Sequence, residues 1–163
     1  MRTVFACTVT ISLFLGGCTQ LDHVAAPIPT QPADAALSRH TWSLDNALTP
    51  DGAHDLPWLL VRANNVTPTL QFGDGRLTVQ GLCNSLMASY LVDGSNIDIG
   101  PVAGTKKMCA DPALMDYEHA FSQRLPDVTL WHITHMPDEP AGRPRLTLRF
   151  TDGAQWVLTG HPR

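Results

Sequence analysis

The chain has 163 residues, 44% of them hydrophobic and 16% charged, which suits one folded domain and excludes wholesale disorder. Its formal net charge of -4 argues against a nucleic-acid binder, which would carry a basic excess. Four cysteines are too few for a disulfide-built miniprotein, and no apolar run reaches the length of a membrane-spanning helix.

Residues 1–17 read as a lipoprotein signal peptide. Arg2 supplies the positive start, and Thr3 to Gly17 is uncharged and mostly apolar, too short to cross a bilayer but suited to an export signal. Leu15-Gly16-Gly17-Cys18 has the form of a bacterial lipobox, in which a narrow peptidase site needs small residues and the cysteine is then acylated. The expectation is cleavage before Cys18 and attachment to a membrane through an N-terminal acyl anchor. Cleavage would also remove Arg2 and Cys7. Thr19, rather than aspartate, follows the anchor, which points to the outer membrane facing the periplasm.

Residues 18–39 hold the lipidated cysteine and a Pro/Ala-rich tether, because Pro27, Pro29 and Pro32 disfavour a packed helix. The domain proper is placed at 40–163.

Within it, period-two alternation marks strands. Leu77 and Val79 alternate with Arg76, Thr78 and Gln80; Leu146, Leu148 and Phe150 with Arg145, Thr147 and Arg149; Trp156 and Leu158 with Gln155 and Thr159. Gly73-Asp74-Gly75, Asp93-Gly94 and Asp152-Gly153 are hairpin signals and imply antiparallel pairing. Further strands are expected near 40–46, 58–62, 68–72, 87–92, 96–100 and 127–133. Segments 47–57 and 136–144 read as loops. One helix breaks the pattern: Asp111 is its N-cap, Pro112 its first residue, and Leu114, Tyr117, Phe121 and Leu125 recur at helical spacing until Pro126. The expected fold class is α+β, mostly β: a strongly bent antiparallel sheet, as a roll or open barrel, with one amphipathic helix packed on it.

With Cys7 and Cys18 assigned, Cys83 and Cys109 remain. Two thiols in an exported chain favour a disulfide. It would close a loop of about 27 residues and contribute roughly 3.5 kcal/mol in the chain-entropy picture. The absence of Cys-x-x-Cys removes the usual redox geometry.

Gly81-Leu82-Cys83-Asn84, Tyr90, Thr105-Lys106-Lys107-Met108-Cys109, Pro112, Glu118 and Phe121 together resemble the META domain, and in particular the HslJ-like heat-shock lipoproteins. Trp42-x-Leu44 and Leu70-x-Phe72 fit the same pattern, and the resemblance spans roughly 40 to 160. Two places usually held by glycine carry Leu82 and Ala88 or Ser89. The resemblance implies a compact antiparallel roll with one helix and an association with envelope stress and drug tolerance. It supplies no catalytic residues.

The remaining chemistry is sparse. His132-x-x-His135 would face opposite sides of a strand, so no metal and no cofactor are expected. Asn84, Thr105, Lys106 and Lys107 are the candidates for ligand or anion contact. Against this, Asn84 could instead satisfy a turn backbone, and Asp111 would repel an anion from the helix start. No Gly-x-Ser-x-Gly, P-loop or HExxH is present. The expectation is a non-enzymatic, lipid-anchored envelope protein that binds something under stress. The second reading is an inhibitor of an exported hydrolase, a periplasmic protein partner contacted through a loop such as 136–144.

Overall fold

The structure is a computed structural model and describes residues 32–60, 66–135 and 142–163. The segments expected to be a leader and a lipobox with Cys18, and most of the expected tether, therefore lie outside the described residues, as does most of the 136–144 segment.

Nine antiparallel strands form one sheet: β1 (His40–Leu48), β2 (Thr69–Gly73), β3 (Arg76–Gln80), β4 (Leu86–Asp93), β5 (Asn96–Ile99), β6 (Ala103–Gly104), β7 (Val128–His135), β8 (Pro144–Phe150) and β9 (Gln155–Pro162). Their order is β3-β2-β1-β9-β8-β7-β5-β4-β6, and β3 also pairs with β4. That last pairing closes eight strands into a barrel, so the expected roll is shut rather than open. Closure removes the exposed edges that an open sheet would present. The ring is weakest between β5 and β7, which share the single register pair Asn96↔Leu130.

Alternation puts the apolar residues inside. Leu146, Leu148 and Phe150 on β8 are buried, as are Trp156 and Leu158 on β9. Register shifts in β1, between Leu44 and Asn46, and in β7, between Val128 and Leu130, reset the phase. Ala47 is thereby buried, and Trp131 and Ile133 pack against the core. The hairpin between β2 and β3 turns on Asp74 and Gly75, both at positive φ (51° and 70°), the conformation that a two-residue turn needs to match strand twist.

Three helices are present among the described residues: α1 (Pro32–Ser38), α2 (Leu56–Leu60) and α3 (Pro112–Arg124). Helix α3 is the expected one. Asp111 caps it, accepting from the Ala113 N–H at 2.9 Å, and Tyr117 and Phe121 are its buried residues. Beyond it a 3-10 turn, Leu125–Asp127, leads into β7.

Two corrections to the sequence reading concern the shorter helices. The strand expected at 58–62 is not there: Trp58 to Leu60 belong to α2, and 61 and 62 lie outside the described residues. An apolar run this short carries no readable period, and Pro57 suits a helix start. The expected tether is not wholly extended either. Its end forms α1, with Pro32 as first residue, where proline is tolerated, and with Leu37 fully buried.

Helices α1 and α2 sit at opposite ends of β1 and cover the two mouths of the barrel. At one mouth the Trp42 indole N–H donates to the Leu37 carbonyl at 2.8 Å, and the Tyr90 hydroxyl donates to the buried Asp34 carboxylate. At the other, Trp58 of α2 packs edge-on against Trp156 at 4.9 Å, and Phe121 of α3 stacks on Trp156 at 4.4 Å. The interior is thus a packed core, not a pore.

Candidate functional site

The residues singled out for chemistry do converge. After β3 the chain turns at Gly81, whose φ is +83° and where a Cβ would lie 2.4 Å from the Thr67 carbonyl oxygen. Only glycine fits that approach. The turn delivers Cys83 and Asn84 beneath the loop 105–110, which runs from β6 to α3. Cys83 and Cys109 are joined by a disulfide with Cα atoms 5.9 Å apart. The pairing expected from the cysteine arithmetic is the one present.

Asn84 is buried, one of only two polar residues to be so among the described residues. Its side-chain oxygen accepts from the Thr105 hydroxyl at 2.7 Å and from the Lys107 backbone N–H at 2.7 Å. Its side-chain amide donates to Glu118 Oε1 at 2.8 Å and to the Lys107 carbonyl at 3.3 Å. Its backbone N–H donates to Glu118 Oε2 at 2.5 Å. Thr105 closes the circuit, its N–H donating to the Ser85 carbonyl at 3.2 Å. Every hydrogen-bonding site of the Asn84 amide group faces a protein partner. The candidate ligand residue is therefore the centre of a knot linking strand end, loop and helix.

Lys106 and Lys107 are exposed at the rim of this knot, and Met108 beside them is 92% exposed. The N–H of Ala113 at the start of α3 is taken by Asp111. The structure thus brings Asn84, Thr105 and Lys107 together through backbone and short side chains while leaving both ammonium groups at the surface. A groove of about 270 Å³ lies alongside, lined by Thr105, Met115, Glu118, His119 and Ser122 among others.

His132 and His135 both lie on β7 and are both exposed, opposite Thr147 and Pro144 of β8. Glu118 is read from the sequence as part of the family pattern and as a carboxylate toward the start of the helix; its bonds to Asn84 bridge 34 residues, and no local signal announces them. The Asp34–Tyr90 contact was likewise invisible, since Asp34 fell within the expected tether.

A model of the META domain family matches residues 35–162. No curated protein matches the sequence. Among solved structures, an NMR structure of a protein from Burkholderia xenovorans is 19% identical, with a TM-score of 0.58 over 89% of this chain and 99% of that one. A second NMR structure is 16% identical, with a TM-score of 0.47 over 77% of this chain and 92% of the other. The first of these likenesses speaks to the fold alone. The family match covers the whole barrel, both flanking helices' core residues and the Asn84 knot, and the chain belongs to the META domain family.

Proposed function

We propose that this META domain is a non-enzymatic, lipid-anchored protein of the bacterial cell envelope, an HslJ-like binding module serving stress response or drug tolerance. The observation that carries the binding part is the Asn84 knot. Asn84, Thr105 and Glu118, which belong to the family resemblance, hold the fold together, and what they present outward is a loop bearing Lys106, Lys107 and Met108. The Cys83–Cys109 bond supports an oxidising compartment, where such bonds persist. The Leu15-Gly16-Gly17-Cys18 sequence supports acylation at Cys18 and placement at the outer membrane, facing the periplasm.

The test is expression in a Gram-negative host followed by fractionation and intact mass. The expected product begins at Cys18, carries acyl chains and sediments with the outer membrane, and Cys18→Ser leaves it unacylated. Protein that keeps Met1 and stays soluble would overturn the assignment.

The reading as an inhibitor of an exported hydrolase is tied to a loop such as 136–144, most of which lies outside the described residues; the loop bearing Met108 offers a second insert. Met108 is 92% exposed on a segment pinned by a disulfide and by Asn84, a shape suited to insertion into an enzyme cleft. Capture of a periplasmic lysozyme or protease, lost in Met108→Asp, would favour it.

A further inference from the structure

A second feature lies on the barrel wall, away from the Asn84 knot. A cleft of about 370 Å³ opens where the last turn of α1, the start of β1, the β4–β5 turn and β7 meet. This is next to the thin β5–β7 seam, where the Trp131 N–H bonds to the Ser95 carbonyl at 2.9 Å. One wall is apolar, formed by Trp131 and Ile133, both packed against the core. The rest carries Arg39, His40 and His135. No aspartate or glutamate is among the described residues that line it, although the chain as a whole is acidic. The Trp131 indole nitrogen is buried with no hydrogen-bond partner, and an indole N–H can only donate.

These features share one complement. We propose that the cleft binds a small organic anion, an apolar body carrying one carboxylate. The body lies against Trp131 and Ile133. The carboxylate meets the Arg39 guanidinium and the imidazole N–H groups, each of which can donate. His40 is shifted toward its neutral imidazole. Burial lowers its pKa most, the Ala36 backbone pulls it upward, and the fields of His135 and then Arg39 lower it again. The site needs neither an acyl anchor nor an envelope location, so its failure would leave the proposed function standing.

Nitrogen-15-labelled full chain titrated with naphthoate, naphthamide and inorganic phosphate tests it. Naphthoate should move the Trp131 side-chain N–H and the Ile133 backbone resonances saturably. Naphthamide, of the same shape without the charge, should bind about tenfold more weakly, the loss expected of one charge-assisted contact. Phosphate, which lacks the apolar body, should be weaker still. Arg39→Gln, an exposed change that preserves folding, should weaken naphthoate about tenfold and leave naphthamide unchanged. Four results would overturn the proposal: no saturable shift at millimolar naphthoate, equal binding of naphthamide or phosphate, shifts confined to another face, or an Arg39→Gln variant with unaltered affinity in an intact fold.

Discussion

The Glu118 carboxylate on α3 accepts from both the backbone N–H (2.5 Å) and the side-chain amide (2.8 Å) of Asn84, a residue of the turn between β3 and β4. One carboxylate thereby fixes a helix to the barrel, while the other end of the same Asn84 side chain holds the loop that leads into that helix.

Asn84→Ala removes four side-chain hydrogen bonds and leaves the Lys107 N–H and a carboxylate oxygen of Glu118 poorly satisfied. The expected destabilisation is about 2–4 kcal/mol, from the cost of stranding buried polar groups. Glu118→Gln keeps the shape but turns one acceptor into a donor facing donors, for a loss of about 1–2 kcal/mol. Urea denaturation measures both. A loss under about 0.5 kcal/mol for Asn84→Ala, the range of an ordinary surface change, would mean that the knot is incidental.

The disulfide and the knot constrain the same loop. Cys83→Ser with Cys109→Ser should cost about 3.5 kcal/mol by chain entropy alone. Combined with Asn84→Ala, the losses should fail to add, because one loop cannot be released twice. Strict additivity in the triple variant would show that the two restraints act on independent elements.

Tyr90 and Tyr117 are the chain's two tyrosines, and both have raised pKa values. Burial is the main cause for each; at Tyr90 the hydrogen bond to Asp34 and that carboxylate's charge add to it. The folded state therefore favours the neutral phenols. This contribution to stability is complete below the ordinary tyrosine value of about 10 and drains away as the pH rises above it, because the unfolded chain then loses protons that the folded chain keeps. Phenolate absorbance should rise only together with loss of far-ultraviolet circular dichroism. Normal tyrosine titration in a chain whose dichroism stays native would contradict this. Tyr90→Phe tests the Asp34 contact separately. It strands a buried carboxylate and should cost about 1–3 kcal/mol.

Trp58 closes one mouth of the barrel against Trp156, Phe121 and Tyr117, and the Tyr117 hydroxyl donates to its carbonyl at 3.3 Å. Trp58→Ala should cost about 2–3 kcal/mol, below most fully buried aromatic deletions because Trp58 is partly exposed; Trp58→Phe should recover most of it. Equal stability of Trp58→Ala and the parent protein would show that α2 does not seal the core.

Much of the barrel could be read from residue order alone. The alternation in β3, β8 and β9 and the Asp-Gly turns are local signals, and their periods survive folding. The Asp111–Pro112 start of α3 is equally local. The cysteine pairing came by subtraction once Cys7 and Cys18 were set aside. What escaped was decided at long range. Trp58-Leu59-Leu60 has the composition of a strand and becomes helical because it caps a barrel whose rim is built from Trp156 and Phe121. Pro32 looks like a break and instead starts α1, whose Leu37 is fully buried and whose Leu37 carbonyl accepts from the Trp42 indole N–H. Two-residue β6 is too short to leave a pattern. The role of Asn84 was legible as a turn-satisfying amide, but its main partner, 34 residues away, was not.

Amide hydrogen exchange, residue by residue, interrogates the Asn84 knot directly. The Asn84 backbone N–H and its side-chain amide protons should exchange as slowly as the N–H groups of the central β8 and β9 strands, and Glu118→Gln should release them to rapid exchange while β8 stays protected. Fast exchange of the Asn84 protons in the intact disulfide-bonded protein, at the rate of an open loop, would contradict the account.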